Sequence, residues 1–178
     1  MTMANNGAPS DVPTDATTLT IRLAKTLLLA AMGLFFTLVV FNNVTDFDSN
    51  YQFVRHVLLM DSTFPGNRGM WRAVASPALH LLFYGSIILW EALNAVLCWW
   101  GAVRLLRALR APAAEFARAK AVGVAALTAG MLLWFVAFLS VGAEWFLMWQ
   151  SKLWNGQDAA FRMFACEGLV LAILLLRE

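Results

Sequence analysis

The chain has 178 residues, of which 61% are hydrophobic and 13% charged, well above the roughly 45–50% apolar content of soluble domains, so composition points to a membrane protein. Its 13 basic and 11 acidic residues leave a net charge of +2, too even for a nucleic-acid footprint, and nucleic acid is excluded as an expected partner. Cys98 and Cys166 both fall in apolar segments, which argues against a disulfide or a C-x-x-C redox site and fits two buried thiols.

Residues 1–20 are polar and contain Pro9 and Pro13, so they read as a disordered cytoplasmic tail. A first helix is expected over 21–44, where an uncharged apolar run follows Arg22 and Lys25 and is long enough for the about 20 residues that cross a bilayer. No small-x-small cleavage site follows, which makes it an uncleaved signal anchor. The outer loop, 45–76, opens with Asp46-Phe47-Asp48-Ser49-Asn50. That run imitates a calcium loop, but Tyr51 stands where glycine is required and Val57 where a bidentate glutamate is required, so the motif fails. Asx turns are expected instead, with Asp48 or Ser49 capping a helix over 50–60 whose Phe53, Val54, Val57 and Leu58 form one apolar face and cap the bundle.

The second long helix is expected over 77–108, Pro77 fitting its first turn. On it His80, Tyr84, Ile87, Glu91, Asn94, Cys98 and Gly101 recur at alternating spacings of four and three, a mostly polar stripe opposite Leu81, Leu82, Leu89 and Val96. Such a stripe has to face the bundle interior, because an ionisable group in hydrocarbon costs several kcal/mol unless it is paired or protonated. A third helix is expected over 119–149, with Gly123, Ala126 and Gly130 making a small-residue face for close helix contact. The fourth, 158–177, is interrupted by Arg162 and Glu167; Asp158 can cap it and pair with Arg162 one turn on.

These elements predict an all-α fold, a four-transmembrane-helix bundle in which residues 21–178 form one domain capped by the helical outer loop. Arg104, Arg107, Arg110, Arg118 and Lys120 crowd the second connection, whereas the first mixes Arg55, Arg68 and Arg72 with Asp46, Asp48 and Asp61. By the positive-inside rule both termini are expected in the cytoplasm. Trp71, Trp145, Trp149 and Trp154 then mark the outer interface and Trp99 with Trp100 the inner one.

The outer-loop runs Asn42-Asn43-Val44-Thr45-Asp46-Phe47-Asp48-Ser49-Asn50 and Phe53-Val54-Arg55-His56-Val57-Leu58-Leu59-Met60-Asp61, with Trp71-Arg72-Ala73-Val74, resemble those of a bacterial domain-of-unknown-function family of predicted small integral membrane proteins. The resemblance implies four spans, a glutamate in the second helix and a bacterial inner-membrane location. It implies no activity, cofactor or site residue.

Two constellations could carry chemistry. Tyr84, Glu91, Asn94 and Glu167 form a candidate intramembrane polar site. At about 1.5 Å per residue Glu91 lies about 18 Å from Val103 and Glu167 about 15 Å from Arg177, so the carboxyls are expected at one depth and within roughly 10 Å of each other. With no Lys or Arg level with them, a shared proton is the expected arrangement. It serves a proton or cation path as well as it serves interhelical hydrogen bonding, and both readings stand. His80, Glu144, Arg72 and His56 form a candidate outer cluster. Two histidines invite haem or a metal, yet His56 is on a loop where bis-histidine haem wants rigid facing helices, so hydrogen-bonded histidines and no cofactor are expected.

The sequence supplies no nucleophile–base pair, nucleotide loop or metal motif, which weighs against an enzyme. The first functional reading is a non-enzymatic accessory subunit in the lipid bilayer, binding a membrane-complex partner or its own copies in a homo-oligomer. The alternative is a small proton- or cation-coupled carrier, or a quinone or haem redox subunit, using the intramembrane carboxylates.

Overall fold

A computed structural model of the chain describes residues 15–177. Helix α1 (Ala16–Thr45) is opened by Asp15, whose side chain accepts a hydrogen bond from the Thr18 amide at 2.6 Å. That bond, from an otherwise unsatisfied first-turn N–H, holds the Asp15 carboxyl below its ordinary range. The helix therefore begins inside the segment expected to be a tail, and residues 1–14 of that tail lie outside the described residues. Helix α2 (Phe47–Leu59) follows after Asp46 alone and ends at Met60 in the left-handed conformation, φ 54°. It starts three residues before the expected position because Ser49 turns back on Asp46 Oδ2 at 2.8 Å instead of capping.

Helix α3 (Pro77–Arg107) carries its proline in the first turn, as anticipated. A short α4 (Ala113–Ala119) leads into α5 (Ala121–Leu132), which continues as a π-helix over Leu133–Trp145. The chain then turns through Leu147, φ 55°, and a 3-10 turn at Met148–Gln150. The expected uninterrupted third helix is thus three differently wound segments. Helix α6 (Gln157–Leu175) is preceded by Gly156, not capped by Asp158.

Three helical runs are long and apolar enough to cross a membrane, namely Ala16–Thr45, Pro77–Arg107 and Ala113–Trp145. The expected fourth span is not among them. Helix α6 has only 19 residues, and Asp158, Arg162 and Glu167 interrupt its apolar character.

Packing follows the small residues. Helix α3 lies mainly against α1 and α5, while α6 closes the bundle on α5 and the π-helix. Gly101 and Gly123 set the α3–α5 approach: a Cβ on Gly101 would lie 2.9 Å from the Gly123 amide nitrogen. Leu29, Phe36, Cys98, Leu105, Leu127 and Leu174 fill the core around that crossing. Cys166, expected to be buried like Cys98, is exposed.

The two ends of the bundle are built differently. At one, Arg22 is 2% exposed, donates from Nη1 to the Leu109 and Ala111 carbonyls at 2.9 and 2.7 Å, and lies over the Phe116 ring. Lys25 and Lys120 both donate to the Leu176 carbonyl. Cations thus satisfy carbonyls of the α3–α4 turn and of the residue that closes α6. At the other end α2 packs Val57 and Leu58 onto Ala143, Phe146 and Met148. Ser62 bonds Ser151 at 2.8 Å, and the Leu58 carbonyl accepts from Val74 N at 2.8 Å.

Two outcomes are expected. Gly101→Ala should destabilise the protein by about 1–3 kcal/mol through overpacking at the Gly123 backbone, whereas Gly85→Ala, with open space around it, should be neutral; thermal unfolding in detergent compares them. Leu58→Asp should detach the cap, read as rapid tryptic cleavage at Arg55 that the parent protein resists.

Candidate functional site

The α3 stripe faces inward. His80, Tyr84, Glu91, Asn94, Cys98 and Gly101 are all buried, while Leu82, Leu89 and Val96 on the opposite side are more than 60% exposed. Only Ile87 interrupts the buried row. Glu91 meets α1, not α6: Asn43 Nδ2 donates to Glu91 Oε2 at 2.7 Å. Asn43 Oδ1 in turn accepts from Asn50 Nδ2 at 2.6 Å and from the Tyr84 hydroxyl at 3.2 Å. Asn43 reaches all three because it sits in the last turn of α1, directly before the sharp Asp46 turn brings α2 back over it.

Glu167 belongs to a second group. It is fully buried, and its Oε1 accepts from Trp134 Nε1 at 2.7 Å, while Oε2 has no hydrogen-bond partner. Oε2 lies beside Gly130, where a Cβ would overlap both it and the Asn94 amide. Asn94 bonds the α5 backbone, Nδ2 donating to the Ala126 carbonyl at 3.2 Å and Oδ1 accepting from Gly130 N at 2.9 Å. The glycine of the small-residue face is what admits these polar groups between helices.

The four candidate intramembrane residues therefore divide, Tyr84 with Glu91 and Asn94 beside Glu167, and no hydrogen bond joins the carboxyls directly. Each carboxyl has its own donor, Asn43 for Glu91 and Trp134 for Glu167. Trp134 also lines a cavity of about 240 Å³ together with Asn43, Tyr84, Glu91 and Phe138. Neither donor was legible in the sequence as a site residue. Asn43 sat in a loop motif and Trp134 in an aliphatic run.

The outer cluster disperses. His80 donates from Nε2 to the Val74 carbonyl at 2.7 Å, leaving Nδ1 buried without a partner. His56 pairs with Asp61 at 2.7 Å and stacks on Trp154, the ring centroids 4.6 Å apart. Arg72 meets Glu144 only at its main-chain carbonyl, at 3.5 Å, and spreads its guanidinium over Trp71 and Trp145. His56, which lies in α2 and not on a loop, and His80 take partners five and six residues away in the chain, while Arg72 reaches across to the π-helix. Among the described residues no three His, Cys, Asp or Glu side chains come together in a metal-holding group.

Residues 21–177 match the family described as predicted small integral membrane protein (DUF2165). The chain belongs to this family. The matched segment runs from the second turn of α1 past the end of α6, so every helix and both polar groups lie within the family's common region. No curated protein and no solved structure matches the chain.

Substitution separates the two groups. Glu91→Gln keeps an acceptor for Asn43 and should cost under about 1 kcal/mol, Glu91→Leu should cost about 1–3 kcal/mol by orphaning the Asn43 amide, and Glu91→Lys should prevent stable expression. For the second group, Trp134→Phe and Glu167→Leu should couple by at least about 0.5 kcal/mol in a double-mutant cycle of unfolding midpoints. Additive effects would mean that the indole–carboxyl bond contributes nothing.

Proposed function

We propose that this small integral membrane protein crosses the bacterial inner membrane four times with both termini in the cytoplasm, and that it works as a non-enzymatic accessory subunit for a membrane partner. The observation that supports the accessory reading is that the two intramembrane carboxyls have different donors and no hydrogen bond to each other. Each is engaged by a donor from a different helix, Asn43 for Glu91 and Trp134 for Glu167, which is the arrangement of fasteners between helices rather than of a relay.

The fourth span is supported by length and burial. Nineteen residues extend about 28 Å, close to the roughly 30 Å hydrocarbon core, and Glu167 is turned inward, so only Arg162 and Asp158, near one end, face outward. The orientation is supported by the basic end. Arg22 bonds the α3–α4 turn, and Lys25 and Lys120 meet at Leu176, so the start of α1, the Arg-rich connection and the end of α6 share one side. Asp46, Asp48 and Asp61 lie at the other end, and positive charge selects the cytoplasmic side.

A periplasm-active reporter fused after Gly66 should be active and one fused after Pro112 silent; the reverse pattern would invert the orientation. Crosslinking in native membranes followed by native electrophoresis should carry the protein into one reproducible hetero-complex of fixed stoichiometry. Proton or cation flux by the purified protein alone in liposomes, abolished by Glu91→Gln, would overturn the accessory reading.

A further inference from the structure

Beyond that reading, the space around Glu91 has the features of a ligand site. Glu91 is 3% exposed and lines the central cavity. Its Oε2 is held by Asn43, and no hydrogen bond to Oε1 is found among the described residues. The polar side chains lining the same cavity bond one another: Asn43 donates to Glu91, and Asn50 and Tyr84 to Asn43, while Trp134 donates to Glu167. Asn43 and Asn50 each keep a second amide N–H, and Glu91 is the one carboxyl in the lining. A ligand that engages this carboxyl has to bring a donor of its own.

Two further features narrow the chemistry. No Lys or Arg lines the cavity, and Phe53, Tyr84, Trp134 and Phe138 surround it, a setting in which aromatic faces and a carboxylate both attract a cation. A second cavity of about 240 Å³ adjoins it, sharing Phe53, Val54, Ile87 and Phe138. Its other walls are apolar apart from Ser86, and its rim residues Phe83, Trp90 and Val136 are 39–46% exposed on the outside of the bundle. Helix α2 lies over it through Val57 and Leu58. Each cavity alone is smaller than the roughly 300 Å³ at which small-molecule sites begin, so a ligand of that class has to span both, passing Phe53, Val54, Ile87 and Phe138, which line the two in common.

We propose that the paired cavities bind a lipophilic amine, its ammonium group on Glu91 Oε1 among the aromatic rings and its apolar body in the wing beneath α2, entering from the bilayer between α3 and the π-helix. Charge complementarity selects the head, and the apolar wing selects the body.

The test is equilibrium binding of tritiated propranolol, a lipophilic secondary amine, to the full-length protein in lipid nanodiscs by scintillation proximity, with the neutral N-acetyl derivative as competitor. Saturable one-site binding is expected. Glu91→Gln should weaken it at least about tenfold, and Ile87→Trp, which fills the junction of the cavities while keeping Glu91, should abolish it. Glu167→Gln should leave it within about twofold. The N-acetyl derivative keeps the hydroxyl and the ring system but loses the charge, and should fail to compete. Competition by it at equal concentration, unchanged affinity in Glu91→Gln, or absence of saturable binding would each overturn the assignment. Should Glu91→Gln fail to fold, Ile87→Trp and the neutral competitor decide the question.

Discussion

A carboxyl group inside hydrocarbon has no water to solvate it, and a charged side chain at the centre of a transmembrane helix costs about 2.5–3.5 kcal/mol on insertion scales. Two glutamates of this chain are nonetheless buried within the bundle, and the helix arrangement answers to them. Asn43 is carried to Glu91 by the last turn of α1, and Trp134 to Glu167 by the start of the π-helix. Each bond ties an otherwise apolar helix to a particular neighbour in a particular rotation. Apolar packing alone would allow many rotations of nearly equal energy, since lipid tails are as apolar as the leucines they replace. The polar pairs pick one.

The same requirement governs the ends. Carbonyls of the α3–α4 turn and of the residue that closes α6 receive side-chain cations: Arg22 at Leu109 and Ala111, Lys25 and Lys120 at Leu176. Residues that count as topological signals in the sequence therefore also fasten the first and last helices at the basic end. Positive charge on one side and helix-end satisfaction are one arrangement serving two purposes.

Periodicity made the α3 stripe legible, because a 31-residue helix repeats its facing often enough for Tyr84, Glu91, Asn94 and Cys98 to stand out from leucines. Gly123, Ala126 and Gly130 were legible for the same reason. What periodicity cannot supply is the partner. Glu91 and Glu167 were matched by depth, and depth is shared by every residue on a level, including the asparagine and tryptophan that bond them. The His80, Glu144, Arg72 and His56 grouping failed for a related reason: His56 and His80 bond Asp61 and Val74, five and six residues away in the chain, so chemical kinship between residues on different elements carries little positional information. The charges of α6 hid its facing, since Arg162 is exposed and Glu167 buried only five residues later.

The π-helix was illegible altogether, and its position explains its consequence. Leu133–Trp145 is apolar apart from Ser140 and Glu144, with no proline to announce a change of winding, yet its hydrogen bonds span five residues, as Phe146 N to the Val141 carbonyl does at 3.0 Å. Trp134 and Phe138, one wide turn apart, come to face the same side with ring centroids 5.0 Å apart. The indole bonds Glu167 through its nitrogen and lines the cavity that Glu91 also lines. The same segment lines the apolar cavity through Leu133, Val136, Ala137 and Val141, with Ile87 and Trp90 of α3. An α-helix also brings residues four apart onto one face, so the wider winding leaves the Trp134–Phe138 pair in place and shifts the facing of the residues beyond it. One segment thus supplies a wall of the apolar cavity, an aromatic wall of the cavity that Glu91 lines, and the donor to Glu167.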